Sequence, residues 1–354
     1  MISRDFRPKT FDEVAGNKLN ISILKKIIEN PESSPRCLLF QGSFGCGKTT
    51  LARIFARALN CQSEDSRPCG ECPNCKKNLD ESYFYSEYDS SVVGNVEEIR
   101  KLRDSFGYVT TGGYRVIVLD EVHLISRVAQ SALLKVFEDN KSNVFFILAT
   151  TNPEKVLQTI KSRSLILDFK TIEHKDVVNN LREVSDKLNI DPSDTVLDII
   201  ARRSRGHMRN AHMLLDMYNL LGEEKFKENV KDCTESILDF FQALATREIR
   251  KLYESIDSMV SFPLDELIID FQEVVLNLMK TLVSKKGEDR YIQILSRMGK
   301  NSMKIIKLCI SPIIIDSFSA DYTLQTALLA IYQMTETSDI ASQSSLKERA
   351  VRRT

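Results

Sequence analysis

The chain has 354 residues, 49 Lys and Arg against 49 Asp and Glu, and a formal net charge of zero. That length allows two or three domains, each with a core of its own, and the 28% charged content is that of a soluble protein. The balanced charge excludes a global basic field for holding nucleic acid, although a local basic patch is hidden in a whole-chain sum. Met1-Ile2-Ser3-Arg4-Asp5 opens no signal peptide. The most apolar C-terminal run, Ile305 to Ile315, contains Lys307 and Pro312 and is too short to span a bilayer. A cytoplasmic protein with no membrane partner is expected, whose eight cysteines serve as reduced thiols or metal ligands.

The first strong element is Arg36-Cys37-Leu38-Leu39-Phe40-Gln41, an apolar run that reads as a buried strand. It leads into Gly42-Ser43-Phe44-Gly45-Cys46-Gly47-Lys48-Thr49, a complete GxxxxGK[ST] phosphate-binding loop, with Thr50 next in the chain. After it, Leu51, Ile54, Phe55, Ala58 and Leu59 recur at helical spacing. Glycines at 42, 45 and 47 let backbone N–H groups turn toward phosphate oxygens, and the helix start adds partial positive charge. Lys48 would neutralise the β- and γ-phosphates of ATP, and Thr49 would ligate Mg²⁺.

Cys61, Cys69, Cys72 and Cys75 follow as C-x7-C-x2-C-x2-C among Pro68, Gly70 and Pro73. Four thiolates complete a tetrahedral zinc site and leave no open position, so the metal would be structural. The segment is polar and turn-rich, and metal binding would supply order that burial does not. Cys37, Cys233 and Cys309 lie in apolar contexts and are expected in the core; Cys46 is a small filler within the loop.

Further strands are expected at 84–89, 115–120, 144–150 and 165–169, besides 37–41. Strands alternating with helices predict a parallel sheet covered on both faces. Val116-Ile117-Val118-Leu119 ends in Asp120-Glu121, and ligands of such sheets sit at the carboxyl ends of the strands. Asp120 would belong to the Mg²⁺ shell and Glu121 would polarise the attacking water. Alone, an apolar run ending in two acids is equally a capped strand end; its pairing with the loop favours the site. Phe145 to Ala149 runs into Thr150-Thr151-Asn152, where Thr151 or Asn152 would reach the γ-phosphate or the water. Beyond residue 171 the pattern turns helical, over 174–187, 191–203 and 208–221. It stays helical over 235–257, 263–284, 289–298 and 303–334, the last broken near Pro312. The final stretch is polar, Ser-rich and basic at its tip.

These pieces together resemble the clamp-loader AAA+ ATPases, and among them the gamma/tau subunits of the bacterial DNA polymerase III loader. The resemblance runs from Arg7-Pro8-Lys9-Thr10-Phe11 to about residue 220. It is carried by Val14-x-Gly16, the phosphate loop, the four cysteines, Asp120-Glu121-Val122-His123-Leu124, Ala132-Leu133-Leu134-Lys135, Ala149-Thr150-Thr151, Ser162-Arg163 and Gly206-His207-Met208-Arg209-Asn210. It implies an α/β fold: an AAA+ P-loop parallel-sheet domain over residues 1–170 with the four-cysteine insert at 61–75. A helical lid would cover 171–230, an all-α collar for oligomerisation 231–336, and a flexible tail 337–354.

The resemblance also implies roles. Thr151 falls at the first sensor. Arg163 matches the arginine finger that acts on ATP held by a neighbouring subunit, and Arg209 matches the second sensor, a lid arginine on the subunit's own γ-phosphate. Arg7, Pro8 and Val14 to Asn17 would line the adenine pocket. Implied cofactors are ATP, Mg²⁺ and Zn²⁺. Implied partners are a sliding clamp, primer–template DNA bound without regard to sequence, other loader subunits in a pentameric ring, and a replicative polymerase. DNA would face the helix starts after residues 90–96 and 126–130, with Lys101, Arg103 and Arg127 as contacts; a solvated helix face explains these three as well.

The sequence departs from the family in places. Ser164 replaces a cysteine beside the finger, Asp139-Asn140 stands where an acid–proline pair is common, and Asn210 replaces an acid after Arg209. The chain stops soon after its third domain, as expected of a short, gamma-like form of the kind a phage could encode. The alternatives are another AAA+ DNA motor, such as a branch-migration helicase, and a structural loader subunit. The four cysteines and the Ser-Arg pair speak against the first, and the intact Lys48, Thr49 and Asp120-Glu121 against the second. No polymerase carboxylate arrangement is present, so no intrinsic polymerase activity is expected.

Overall fold

In a computed structural model the described residues are 1–63, 66–92, 97–99, 113–138, 143–230, 233–260, 262, 264–287, 289–299 and 302. The chain divides into two compact units, Met1–Asn229 and Val230–Thr354.

The first unit is built on five strands: β1 (Cys37–Gly42), β2 (Tyr85–Asp89), β3 (Arg115–Asp120), β4 (Val144–Thr150) and β5 (Leu165–Phe169). They lie in the order β2-β3-β4-β1-β5, and every pairing is parallel. The expected sheet is present, with strand ends shifted by no more than one residue. Its central strands read as continuous apolar runs because both faces are covered. Side chains alternate between the faces. Leu38, Phe40, Val116, Val118, Phe145, Ile147 and Ala149 point to one side, where Leu24, Ile27, Leu51, Ile54 and Phe55 complete the core. Cys37, Leu39, Ile117, Leu119, Phe146 and Leu148 point to the other, against Val122, Ala129, Leu133 and Val136.

Helices of this unit include α1 (Ile2–Asp5), α2 (Lys18–Glu29), α3 (Lys48–Leu59), α4 (Pro73–Lys76), α5 (Arg127–Glu138) and α6 (Gln158–Lys161). A helical subdomain follows: α7 (His174–Leu188), α8 (Asp194–Ser204), α9 (Met208–Leu221) and α10 (Glu223–Asn229). The sequence pattern did not place α10. Asn189 (φ 53°) ends α7 and Arg205 (φ 50°) ends α8, each as a left-handed cap. Ser193 caps α8 by accepting from the Val196 amide at 3.4 Å. Gly206 (φ +74°) then lets two backbones cross, because a Cβ there would lie 2.5 Å from the Ile172 oxygen. The Ile172 amide donates to the Gly206 carbonyl at 3.0 Å, tying the linker after β5 to the start of α9.

The described residues of the second unit form four helices: α11 (Cys233–Thr246), α12 (Ile249–Val260), α13 (Leu264–Ser284) and α14 (Asp289–Met298). Phe240, Phe241, Leu252, Ile256, Phe271, Leu278 and Ile294 share its core. The single helix expected over 235–257 is corrected to two. Arg247 takes φ 60° and stops the first, and the Glu248 amide closes it onto the Ala243 carbonyl at 3.1 Å. Apolar spacing persists across the break because both helices face one core, so periodicity carried no sign of the turn. The helix expected at 303–334 and the tail at 337–354 lie outside the described residues. Among the described residues, no helix is long and apolar enough to cross a membrane.

Candidate functional site

The phosphate loop joins β1 to α3. Gly42 (φ +153°) admits no side chain, since a Cβ would lie 2.3 Å from the Phe169 oxygen of β5. Lys48 is buried at the start of α3, and its Nζ donates to the carbonyls of Gly42 at 2.8 Å and Ser43 at 2.9 Å. Gly47 (φ 98°) is the cap of α3, so the helix start opens on the loop. The buried Cys46 thiol donates to the Ser43 carbonyl at 2.8 Å, and burial pushes its pKa up, as suits an unreactive filler. Thr50 lies in the first turn of α3.

The other strand ends bring up the acids. Thr49 Oγ1 lies 3.4 Å from Asp120 Oδ2, so the two expected magnesium ligands are adjacent. Burial first, then the neighbouring Glu121 charge, raises the Asp120 carboxyl above the usual range. A bound cation would offset both effects, so the donor set fits a hard metal. Glu121 takes the left-handed conformation (φ 50°), uncommon for a side-chain-bearing residue, and its amide donates to Asp120 Oδ1 at 3.0 Å. Its carboxylate accepts from the Thr151 amide at 3.1 Å and from Thr151 Oγ1 at 2.9 Å. His123 Nδ1 is 3.1 Å from the same Glu121 oxygen and 3.1 Å from Thr150 Oγ1. Thr150 Oγ1 in turn accepts from the Asn152 amide at 3.1 Å.

Lys48, Thr49, Asp120, Glu121 and Thr151 are thus brought together. Arg209 approaches the same loop from the first turn of α9. Its guanidinium carbon stands 5.0 Å from the centre of the Phe44 ring. A Cβ on Gly45 (φ +73°) would lie 3.4 Å from His207 Cβ and 3.5 Å from Arg209 Cβ. Arg163 sits apart, exposed in the turn between α6 and β5, with a bond to the Thr159 carbonyl at 3.4 Å. Arg127 is exposed in the first turn of α5, and Lys101 and Arg103 lie outside the described residues. Val14 packs against the sheet core. Pro8 is half-buried and Arg7 is exposed.

Three residues brace the site; Asn20 and Gln130 gave little sequence signal, whereas Asn17 closes the Val14-to-Asn17 segment that the resemblance assigned to the adenine pocket. Asn17 (φ 50°) donates from Nδ2 to the Cys46 carbonyl at 3.0 Å, and its Oδ1 accepts from the Lys170 amide at 3.3 Å. Asn20 Nδ2 donates to the Asp168 carbonyl at 2.9 Å. Buried Gln130 donates to the Ile125 carbonyl at 3.0 Å and accepts from the Leu157 amide at 2.9 Å, holding the segment that leads to Arg163.

Cys61, Cys69, Cys72 and Cys75 place their sulfurs within 4.8 Å of one another. Cys69 and Cys75 are 3.9 Å apart, close to the ~3.8 Å edge of a tetrahedron with Zn–S bonds of about 2.3 Å. The Cys69 amide points at Cys61 Sγ (3.4 Å) and the Cys72 amide at Cys69 Sγ (3.3 Å). Backbone amides hold the Cys69 and Cys72 thiols below the ordinary value, Cys72 at about 6 with Gln62 as the largest cause. Burial pushes Cys75 up to about 12. Four converging sulfurs with amides aimed at them fit a thiolate-bound metal.

A family model described as DNA polymerase III, delta subunit, matches residues 16–173. The tau/gamma subunit of DNA polymerase III from Haemophilus influenzae is 34% identical over 243 residues, which is 68% of this chain and 35% of that protein. The Bacillus subtilis tau subunit is 37% identical over 60% of this chain and 38% of its own length. The gamma subunit from Buchnera aphidicola subsp. Baizongia pistaciae is 29% identical over 80% of this chain and 77% of that protein. The chain therefore spans little more than a third of the first two relatives. Among solved structures, the Thermotoga maritima RuvB Holliday junction branch migration motor aligns with a TM-score of 0.49 and 18% identity, over 79% of this chain and 81% of that one. The chain is gamma/tau-like, and the residues matched by the family model, 16–173, span the five-stranded parallel sheet.

Proposed function

We propose that this chain is a clamp-loader ATPase subunit, which uses ATP binding and hydrolysis to open a sliding clamp and load it onto primer–template DNA during replication. Similarity to gamma/tau subunits supports the broader reading, an ATPase subunit of the AAA+ class acting in DNA replication. The observation that carries it is the Glu121 carboxylate bonded to Thr151 on the next strand end, beside Lys48, Thr49 and Asp120. Glu121 orients the attacking water, Thr151 orients Glu121, and Lys48 binds the β- and γ-phosphates. Thr49 and Asp120 would hold Mg²⁺, whose charge offsets that of the triphosphate. The four cysteines would hold Zn²⁺ as a structural ion.

Arg163 is exposed, which suits a finger offered to ATP on a neighbouring subunit, and hydrolysis then depends on assembly. Arg209 serves the subunit's own γ-phosphate and ties occupancy to the lid, residues 171–230. The collar, residues 231–336, joins subunits into a pentameric ring. Ile269, Leu276 and Val283 support this: they recur every seventh residue on α13 and are 44%, 49% and 78% exposed. DNA is held through its phosphates and without sequence preference, so its binding weakens with salt. A replicative polymerase is a further partner.

The test is turnover by the full chain assembled with its loader partners. Clamp and primed DNA together should raise ATP hydrolysis well above either alone. Stimulation by fork DNA with strand displacement would replace this reading with a branch-migration motor. Nucleotide binding without hydrolysis would make the chain a structural subunit.

A further inference from the structure

Phe44 is a large apolar side chain at the tip of the phosphate loop, and 56% of its surface is exposed. It belongs to neither core cluster of the sheet. Its ring is instead covered by a cation, the Arg209 guanidinium at 5.0 Å from the ring centre. The contact joins the loop to the first turn of α9, and the backbones beneath it are also close, as the Gly45 spacing to His207 and Arg209 shows. The residue after Arg209 is Asn210, so no carboxylate stands next to Arg209 in sequence to orient it.

We infer that Phe44 is a positioning residue for Arg209, its ring holding the guanidinium at the mouth of the phosphate loop with the N–H edge free for a γ-phosphate. This rests on the reading of Arg209 given above. A guanidinium engages an aromatic face through its plane and phosphate oxygens through its edge, so the two contacts coexist. A long side chain normally loses rotamer freedom when it clamps a ligand, and a ring that already restrains it lowers that loss. The benefit falls only on ligands with a γ-phosphate, so Phe44 acts on discrimination between triphosphate and diphosphate. Its effect passes through Arg209 and is absent without it.

The experiment measures dissociation constants of the slowly hydrolysed analogue ATPγS and of ADP on the full chain. The variants are Phe44→Ala, Phe44→Leu, Phe44→Tyr, Arg209→Ala and Phe44→Ala with Arg209→Ala. Phe44→Ala and Phe44→Leu should weaken ATPγS about two- to fivefold and leave ADP unchanged. Phe44→Tyr keeps the π face and should match the parent. Adding Phe44→Ala to Arg209→Ala should change nothing further. Equal weakening of both nucleotides would mean loop damage and overturn the inference, as would a Phe44→Ala loss that persists without Arg209. If Arg209→Ala alone leaves the ATPγS-to-ADP ratio unchanged, the sensor reading of Arg209 fails together with the inference. If only the Phe44 variants are silent, the inference fails by itself.

Discussion

The phosphate site and the four-cysteine cluster stand at opposite ends of one helix, α3, and different forces hold them. At the N-terminal end, Lys48, Asp120, Glu121, Thr151 and Arg209 come from four segments distant in sequence. They meet because parallel pairing of β3, β4 and β1 aligns the strand ends above a core buried on both faces. At the C-terminal end, four sulfurs within fifteen residues converge with little core behind them. A few polar contacts moor that insert: Arg57 to the Cys75 carbonyl at 2.7 Å and Asn74 to the Asn60 carbonyl at 2.8 Å. The first site is positioned by tertiary packing and would persist without its ligand. The second would draw its order from a bound metal.

Four substitutions break or sharpen this contrast. Lys48→Ala should lower turnover about 10³-fold, since it removes the buried cation nearest the phosphates, while circular dichroism stays that of the parent. A loss below tenfold would move the chemistry away from this loop. Cys72→Ser should weaken zinc binding at least about 100-fold by metal titration and remove amide protection over residues 61–76. Protection of β1, β3 and β4 should remain; a global collapse would show that the insert supports the sheet. Gly42→Ala should cost about 3 kcal/mol in urea unfolding, because the new methyl meets the Phe169 carbonyl. A change under about 0.5 kcal/mol would mean that β5 does not clamp the loop. His123→Ala should have the smallest effect. It removes one of the tethers on Glu121 and should slow hydrolysis about three- to tenfold, worth roughly 1 kcal/mol, with ATP affinity unchanged.

Much of this was legible in the chain because local chemistry wrote it there. A loop that wraps phosphate needs Gly42, Gly45, Gly47 and Lys48 in that spacing, and four thiols for zinc need the close spacing of Cys61 to Cys75. Strands buried on both faces show as runs such as Val116 to Leu119 and Phe145 to Ala149. Most of the bracing was not legible: Asn20 and Gln130 are ordinary polar residues in sequence, and their value lies in carbonyls up to 148 residues away. The break at Arg247 escaped periodicity because α11 and α12 present their apolar faces to one core.

The sequence by itself determined the residue types of the phosphate loop, the two acids at the end of β3, the thiol cluster and the alternation that makes a parallel sheet. Each depends on chemistry or periodicity within a few residues. Only the tertiary structure decided that Glu121 is restrained by Thr151 and His123, and that Arg209 reaches the loop over Phe44. Those contacts arise where separate strand ends and the start of α9 converge, and local spacing does not encode which distant backbone a side chain will meet.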